Sequence, residues 1–265
     1  MSEKFSQVPE ELWTLVAPLL PPEPPKPYGG RPRIPDKTIL AGILYRLRTG
    51  CQWKALPPQF GSGSTCHRRF TEWVESGVFE RIMGAVLRFY DQKCGIAWDW
   101  SSLDGVIVKA PKGGDDTGPN PTDRAKSGTK RHILTDERGV PLCVTVSGAN
   151  VPDMKMAMAT LDGVADYVPG PRFRPANICL DKGYDYKIVD EGIKQRRING
   201  HTRRRGEPPL IGCVKGKPRR WVVERTNSWH NRFRALLIRW ERYSSHYLAL
   251  CLLASSLIAL RIALA

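Results

Sequence analysis

Three acidic residues occupy positions where a carboxylate could do chemistry. Asp104 lies inside the apolar run 103–108, Asp181 ends the apolar run 176–181, and Glu224 begins a helical run that is otherwise apolar and basic. A lone carboxylate is costly to bury in a central strand, so acids at such positions need a partner. If the strands of Asp104 and Asp181 are neighbours, the two carboxylates converge and repel each other unless a cation lies between them.

This arrangement of acids is typical of sites for hard divalent cations. Mg²⁺ is held by a few carboxylates together with the phosphate oxygens of a substrate. Two such ions roughly 4 Å apart can activate a water or a 3′-OH and stabilise the departing oxygen of an in-line displacement. With Glu224 completing the shell of the second ion, the three acids predict a site for two Mg²⁺ (or Mn²⁺) ions. Each acid taken singly is more often structural, as a turn residue or a salt-bridge partner.

The surroundings of Glu224 are strongly basic. Residues 191–242 carry fifteen Lys and Arg against four Glu, which is +11 of the net charge of +15. Such a concentrated basic stretch favours a polyanionic partner, most often nucleic acid, whereas the alternative is a solvated face that only aids solubility. On a helix, Glu224, Ser228 and Arg232 share one face. Arg225 and Arg232 could therefore hold a scissile phosphate, or they could pair with surface acids.

Other features indicate a cytoplasmic protein without a membrane partner. If the polyanionic partner is DNA, we expect the protein to be associated with the nucleoid when it is bound. The seven cysteines form no CxxC pair, which is typical of reduced thiols in the cytosol. The N-terminus lacks the pattern of a secretion signal. The apolar run 246–265 is about long enough to span a membrane, but Ser255, Ser256 and Arg261 interrupt it. This run is better explained as a core helix packed on a sheet.

The elements that must position the acids fall into two predicted domains. Residues 1–95 are helical, with Asp36 as the expected cap of one helix and a later helix carrying the basic pair Arg68 and Arg69. Two compact helices of which the second begins with basic residues are consistent with a helix-turn-helix-like DNA-binding module, although any small helical bundle looks similar. Arg68 and Arg69 are accordingly candidate DNA contacts.

Residues 96–265 show strand and helix patterns typical of an α/β domain. Strands are predicted over 103–108, 131–135, 140–146 and 176–181, with helices over 154–164 and 188–197 and the expected cap Asp153 before the first of these helices. A basic insert follows near 194–220, and helices close the chain. Lys130 and Arg131 in the predicted hairpin either contact the DNA backbone or simply solvate the hairpin.

The residues then resemble a known family over nearly the whole chain. The chain is similar to bacterial insertion-sequence DNA transposases of the Asp-Asp-Glu class, close to the insertion sequence five group. The most specific matches are Asp181-Lys-Gly-Tyr-Asp185 and Val223-Glu-Arg-Thr-Asn-Ser-Trp229. Further matching segments are residues 40–57, 71–73, 117–123 and 127–132. The family places Tyr and Arg before the glutamate and Lys after it; here Arg220 fits, while Lys217 replaces the Tyr and Asn231 stands at the downstream position.

This resemblance implies an RNase H-like mixed sheet flanked by helices, with Asp104, Asp181 and Glu224 as the metal-binding catalytic triad. It implies a transposase that binds the terminal inverted repeats of its element, cleaves double-stranded DNA and joins the freed 3′-OH to target DNA. By family analogy it also implies a homodimer or larger complex on DNA, with Arg220 among the DNA contacts. Two rival interpretations stay open: a two-metal nuclease or resolvase on the same fold, and a non-catalytic DNA-binding regulator derived from a transposase.

Overall fold

The computed structural model describes residues 3–23, 25, 27, 29, 32–168, 175–202 and 221–265. Arg220 and most of the predicted basic insert lie outside the described residues. The helices of the first part of the chain are α1 (Glu3–Ser6), α2 (Glu10–Val16), α3 (Asp36–Thr49), α4 (Gly63–Glu75) and α5 (Val78–Cys94). Those of the second part are α6 (Asp153–Asp162), α7 (Lys187–Gln195), α8 (Trp221–Asn231) and α9 (Ser244–Ala263). The strands are β1 (Trp100–Lys109), β2 (Gly118–Pro119), β3 (Ser127–Thr135), β4 (Pro141–Gly148), β5 (Asn177–Leu180) and β6 (Asn199–Thr202).

The strands form one mixed sheet within the described residues, and β1 lies in its middle. β1 pairs antiparallel with β3 on one side and parallel with β5 on the other. β3 pairs further with β4 and with the short β2, and β5 pairs in parallel with β6. β4, β3 and β1 are antiparallel neighbours, and β5 and β6 continue the sheet in parallel on the other side of β1. Together with helices on both faces, this strand order makes up the predicted RNase H-like fold. The predicted neighbourhood of the first long strand and the strand ending at Asp181 is confirmed.

The two faces of the sheet carry different helices, as β1 makes plain. Asp104 meets α8, since the Asn227 amide donates to its carboxylate. The next residue, Gly105, faces Asp153 at the start of α6. Because successive residues of a strand point to opposite faces, α8 and α6 lie on opposite sides of the sheet.

The apolar C-terminal run is a core helix, as predicted. α9 is long and apolar enough to be compared with a membrane span, but 78% of its most apolar window is buried inside the protein. It packs along α5 and against β4. Apolar side chains of the N-terminal helices and of the sheet therefore share one continuous core. The predicted boundary at 95/96 falls in the irregular segment between α5 and β1.

The elements follow the prediction closely, with local corrections. The helix from 36 ends where expected, at Gly50, whose φ of 70° is the left-handed conformation that glycine adopts without strain. Asp36 and Asp153 do not cap their helices, because Pro35 and Pro152 occupy those positions and each aspartate is the first helical residue. Both carboxylates pair instead with cations from other elements, Asp36 with Arg69 and Asp153 with Lys130. The strands β2 and β6 were not predicted.

Candidate active site

The pairing of two neighbouring strands brings together Asp104, in the middle of β1, and Asp181, directly after the end of β5. In the parallel pair of β1 and β5, Leu103 is the register partner of Leu180. Asp104 and Asp181 are the next residues of the two strands, and adjacent strands lie ~4.8 Å apart. Both aspartates are half-buried. The sequence-based prediction that these two carboxylates converge therefore agrees with the register of the sheet.

Helix α8 carries Glu224 and packs on β1 at Asp104. The Asn227 side-chain amide donates to Oδ2 of Asp104 over 3.2 Å, which fixes the middle of α8 against β1. Glu224 lies three residues earlier on the helix and so shares the face of Asn227, about one turn away. The Thr226 hydroxyl donates to the Gly139 carbonyl over 2.6 Å, which attaches α8 to the β3–β4 hairpin as well. Glu224 is exposed.

A divalent cation fits the donor chemistry of this edge. The carboxylates of Asp104, Asp181 and Glu224 supply the hard oxygen ligands that Mg²⁺ and Mn²⁺ take. The buried hydroxyl of Tyr184 and the carbonyl oxygen of the Asn227 side chain have no hydrogen-bond partner there. Within the part of the chain that the structure describes, no three His, Cys, Asp or Glu side chains are gathered tightly enough to enclose an ion. The site thus consists of two neighbouring aspartates and a third carboxylate on the helix that contacts one of them.

A further carboxylate, Asp153, lies on the other face of the same edge. Its Oδ1 is 2.9 Å from the Lys130 ammonium and 3.7 Å from Nδ1 of His132. Burial raises the pKa of the Tyr184 hydroxyl well above its ordinary value, and the charges of Asp153, Asp104 and Asp181 raise it further. All three aspartates therefore belong to one electrostatic neighbourhood. The sequence analysis considered Asp153 only as a helix cap. Gly105 directly after Asp104 and Gly183 two residues after Asp181 were the signal that another side chain approaches the chain there.

Two of the predicted DNA contacts have internal roles, and these predictions are corrected. Arg69 is only 7% exposed, and its guanidinium pairs with Asp36 and Glu72, which joins α3 to α4. Arg131 is fully buried and donates to the Asn231 side chain over 3.3 Å beneath the end of α8. A cation enclosed by protein cannot reach a DNA phosphate, so both arginines leave the set of DNA contacts.

The remaining basic residues differ in how available they are. The Arg68 side chain is 73% exposed, with one carboxylate at 3.7 Å. Arg232 is exposed at the end of α8, on the side of Glu224 and Ser228. The Lys130 side chain is 8% exposed and is held by Asp153 and by the Val151 carbonyl, so it too is removed from the predicted DNA contacts.

Arg225 forms a stack along α8. Its guanidinium lies 4.5 Å from the ring centre of Trp221 and 4.7 Å from that of Trp229, one helical turn to either side. It also donates to the Arg138 carbonyl. Trp229 is half-buried and packs against this guanidinium.

His230 on α8 is fully buried. Its Nε2 is 3.1 Å from the Ser255 hydroxyl on α9. Burial and the neighbouring charge of Arg131 lower the pKa of this imidazole well below its ordinary value of 6.5. In the folded protein His230 stays neutral under mildly acidic conditions, whereas in the unfolded chain it takes up a proton.

This difference predicts an acid-sensitive stability. As the pH falls below about 6.5, the unfolded state binds a proton at residue 230 that the folded state does not, so the free energy of unfolding falls by on the order of 1 kcal/mol per pH unit from this group. Urea denaturation between pH 7.5 and 5 should give a shallower pH dependence for His230→Gln than for the wild type. Parallel curves for the two proteins would contradict this account.

Comparison with known proteins agrees with this geometry. Residues 8–83 match the family described as "Putative transposase of IS4/5 family", and residues 101–259 match the family described as "Transposase DDE domain". A protein of Burkholderia cepacia named "Putative transposase for insertion sequence element IS402" is 40% identical over 130 residues, which cover 48% of this chain and 60% of that protein. "Uncharacterized protein y4sN" of Sinorhizobium fredii is 29% identical over 79 residues, covering 30% of this chain and 58% of that protein. The chain thus spans about 60% of the length of these relatives.

Among solved structures, the chain is similar to that in "Crystal structure of the Mos1 Strand Transfer Complex", with a TM-score of 0.34 and 12% identity over 91% of this chain and 81% of that one. "Crystal structure of a pre-cleavage Mos1 transpososome" matches with a TM-score of 0.29 and 10% identity over 91% and 82% of the two chains. The match to the catalytic-domain family runs from the start of β1 to the end of α9 and takes in all three predicted acids. The chain belongs to the family of transposases with a DDE domain.

Proposed function

We propose that this chain is the DNA transposase of an insertion sequence, which binds the terminal inverted repeats of its element, cleaves the DNA at the ends and transfers the freed strands to target DNA. The observation that carries the proposal is the convergence of Asp104 in β1 and Asp181 after the neighbouring β5, with Asp104 hydrogen-bonded to the helix of Glu224. Membership in the DDE transposases supports the same assignment of residues.

Asp104, Asp181 and Glu224 would hold two divalent ions, Mg²⁺ or Mn²⁺. Such ions supply a lowered pKa for the attacking water and charge stabilisation of the departing oxygen. Asn227 keeps the Asp104 carboxylate turned towards α8, and so sets the spacing between the strand acid and the helix acid. The many Lys and Arg residues around Glu224 in the sequence attract the DNA polyanion and offset the negative charge of its phosphates.

Two displacements at phosphorus account for the reaction. In the first, a water oxygen attacks the phosphorus at the element end, the bond to the 3′ oxygen breaks, and a 3′-OH and a 5′-phosphate result. In the second, that 3′ oxygen attacks a phosphorus of the target, whose own 3′ oxygen leaves. One phosphodiester bond is formed for each one broken in this second step, so strand joining needs no external energy source.

Double-stranded DNA is the partner on both sides of the reaction, as element end and as target. Exposed Arg68 on α4, Arg225 on α8 and exposed Arg232 directly after α8 are the described residues we assign to the DNA backbone. Arg220, which precedes α8 in the sequence, is proposed as a further contact. Both element ends must be cut and then joined to target DNA. We therefore propose, by family analogy, a homodimer or a larger complex on DNA.

The test is Mg²⁺-dependent cleavage and joining of a plasmid that carries the DNA flanking the gene. We expect both cut and joined products, and none without a divalent ion. Cut products without joined products would replace the proposal by a nuclease or resolvase. Sequence-specific binding without either product would replace it by a DNA-binding regulator.

Arg68 and Arg69 provide a matched test of the DNA surface, because they are neighbours in sequence with opposite exposure. Arg68→Gln should weaken binding to the element ends and reduce the slope of log K against log salt by about 1, since one phosphate contact is lost. Arg69→Gln should leave the slope unchanged and lower the free energy of unfolding, because Asp36 then lacks its partner. Fluorescence anisotropy over a salt series measures the first effect and urea denaturation the second. An unchanged slope for Arg68→Gln would remove α4 from the DNA surface.

A further inference from the structure

We infer that Asp153 is a positioning residue for Asp104 and Asp181: its carboxylate fixes the two backbone segments that follow these aspartates and retains the Lys130 ammonium. The inference rests on the proposed function, since it assigns to Asp153 a role towards the same pair of carboxylates. Asp153 itself carries no ligand in this assignment.

The Asp153 carboxylate lies against two glycines, Gly105 and Gly183. A Cβ atom at Gly105 would lie 2.7 Å from Oδ1 of Asp153, which is closer than such contacts allow. A Cβ atom at Gly183 would lie 3.4 Å from Oδ2 of the same carboxylate. Gly105 directly follows Asp104, and Gly183 follows Asp181 by two residues. The Asp153 carboxylate therefore occupies the space that Gly105 leaves open, and its other oxygen is in ordinary contact with the chain at Gly183, just beyond Asp181.

The charge of Asp153 has a second consequence, through Lys130. The Lys130 ammonium is 2.9 Å from Oδ1 of Asp153 and donates to the Val151 carbonyl over 2.9 Å. The lysine side chain is 8% exposed, so its charge depends on a protein carboxylate for compensation. Asp153 satisfies it on the α6 side of the sheet. Without that negative charge, an uncompensated ammonium remains on the α6 side of the sheet, against the Gly105 segment that follows Asp104, and its positive charge disfavours a divalent cation at the two aspartates.

Tyr184 ties the same elements together. Its hydroxyl is buried without a hydrogen-bond partner, one residue beyond Gly183. The charges of Asp153, Asp104 and Asp181 all act on it. The turn that carries Asp181 thus contacts α6 and buries Tyr184, and Asp153 is the charged group on the α6 side.

The experiment measures Mn²⁺ binding to the free protein by isothermal titration calorimetry, with the full chain throughout. Asp153→Asn should weaken Mn²⁺ binding about 10-fold or more, as is typical when a group that orients metal ligands is lost. The double variant Lys130→Met/Asp153→Asn should regain most of the affinity, because the uncompensated positive charge is gone. Asp162→Asn is the matched control: it lies on the same helix, and its carboxylate pairs with Arg196 at the surface. It should bind Mn²⁺ as the wild type does.

A glycine variant tests the geometry without changing any charge. Gly105→Ala should weaken Mn²⁺ binding in the same way, because the new methyl group must displace the Asp153 carboxylate. Gly200→Ala in β6 is its control, since a Cβ there would meet its neighbours only at ordinary contact distances of 3.5 Å.

The possible results separate the inference from the proposed function. If Mn²⁺ binding to the wild type is no stronger than to Asp104→Asn, the metal site itself is wrong and both fall. If binding depends on Asp104 but Asp153→Asn binds as tightly as the wild type, only the role of Asp153 is overturned. A lower thermal stability of Asp153→Asn with unchanged Mn²⁺ affinity would likewise reduce Asp153 to a structural residue.

Discussion

Asp104→Asn is expected to abolish both cleavage and strand joining, with a loss of about 10³-fold or more in the rate of cleavage. The change keeps the size of the side chain and its contact with Asn227 but removes the negative charge that a divalent ion requires. Losing metal-based charge stabilisation costs several kcal/mol in the transition state, and each 1.4 kcal/mol is about a factor of ten in rate. Single-turnover cleavage of an end-containing DNA fragment in Mg²⁺ measures the effect.

Asp99→Asn is the control for this prediction. Asp99 is an exposed acid just before β1, and the same change of charge there should leave cleavage unaltered. DNA binding by Asp104→Asn should match the wild type or exceed it, because a negative charge has been removed beside the phosphates. Cleavage that persists in Asp104→Asn at near wild-type rates would refute the assignment of this residue.

The second large effect concerns the pair of Arg46 on α3 and Glu241, which precedes α9. Their side chains are only 7% and 8% exposed, and the Arg46 guanidinium also lies 4.6 Å from the ring centre of Trp53. Removing one member of a buried ion pair leaves an uncompensated charge and typically costs about 3–5 kcal/mol. Arg46→Met should therefore lower the free energy of unfolding by about that amount, as measured by urea denaturation.

Two further variants distinguish charge from packing in this pair. The double variant Arg46→Met/Glu241→Met should recover most of the lost stability, because no buried charge then remains. Lys37→Met breaks the exposed pair of Lys37 with Glu10 and should cost less than about 1 kcal/mol. A cost for Arg46→Met as small as that for Lys37→Met would mean that solvent reaches the Arg46 site.

Much of the fold could be predicted because the local patterns agree with the tertiary structure. β1, β3, β4 and β5 follow apolar runs, and the helices α3 to α7 follow apolar periodicity with clear ends such as Gly50. The proximity of Asp104 and Asp181 was predictable once their strands were taken as neighbours. The short strand β6 was missed because its sequence, Asn199–Thr202, is polar and half-exposed and gains its strand conformation only by pairing with β5.

The partners of charged side chains could not be predicted, since they depend on contacts between distant elements. Arg68 and Arg69 look alike in the sequence, yet the helix turns one outward and the other towards Asp36, 33 residues away. Arg131 follows Lys130 in the strand, and the two cations lie on opposite faces, one against α8 and the other against α6. The number of charged side chains can be read from the sequence, whereas the packing determines which of them are exposed and able to bind DNA.

The alternation of Asp104 and Gly105 on β1 limits how this family can vary in length. One residue meets α8 and the next meets Asp153, so a single inserted residue between Trp100 and Asp104 would exchange the faces of the strand. The aspartate would then point at another carboxylate and the glycine at the catalytic helix. An insertion or deletion of one residue in this stretch would disrupt the contact of Asp104 with α8 and that of Gly105 with Asp153 at once. Homologous chains should therefore differ in length within their loops and keep the length of β1 constant.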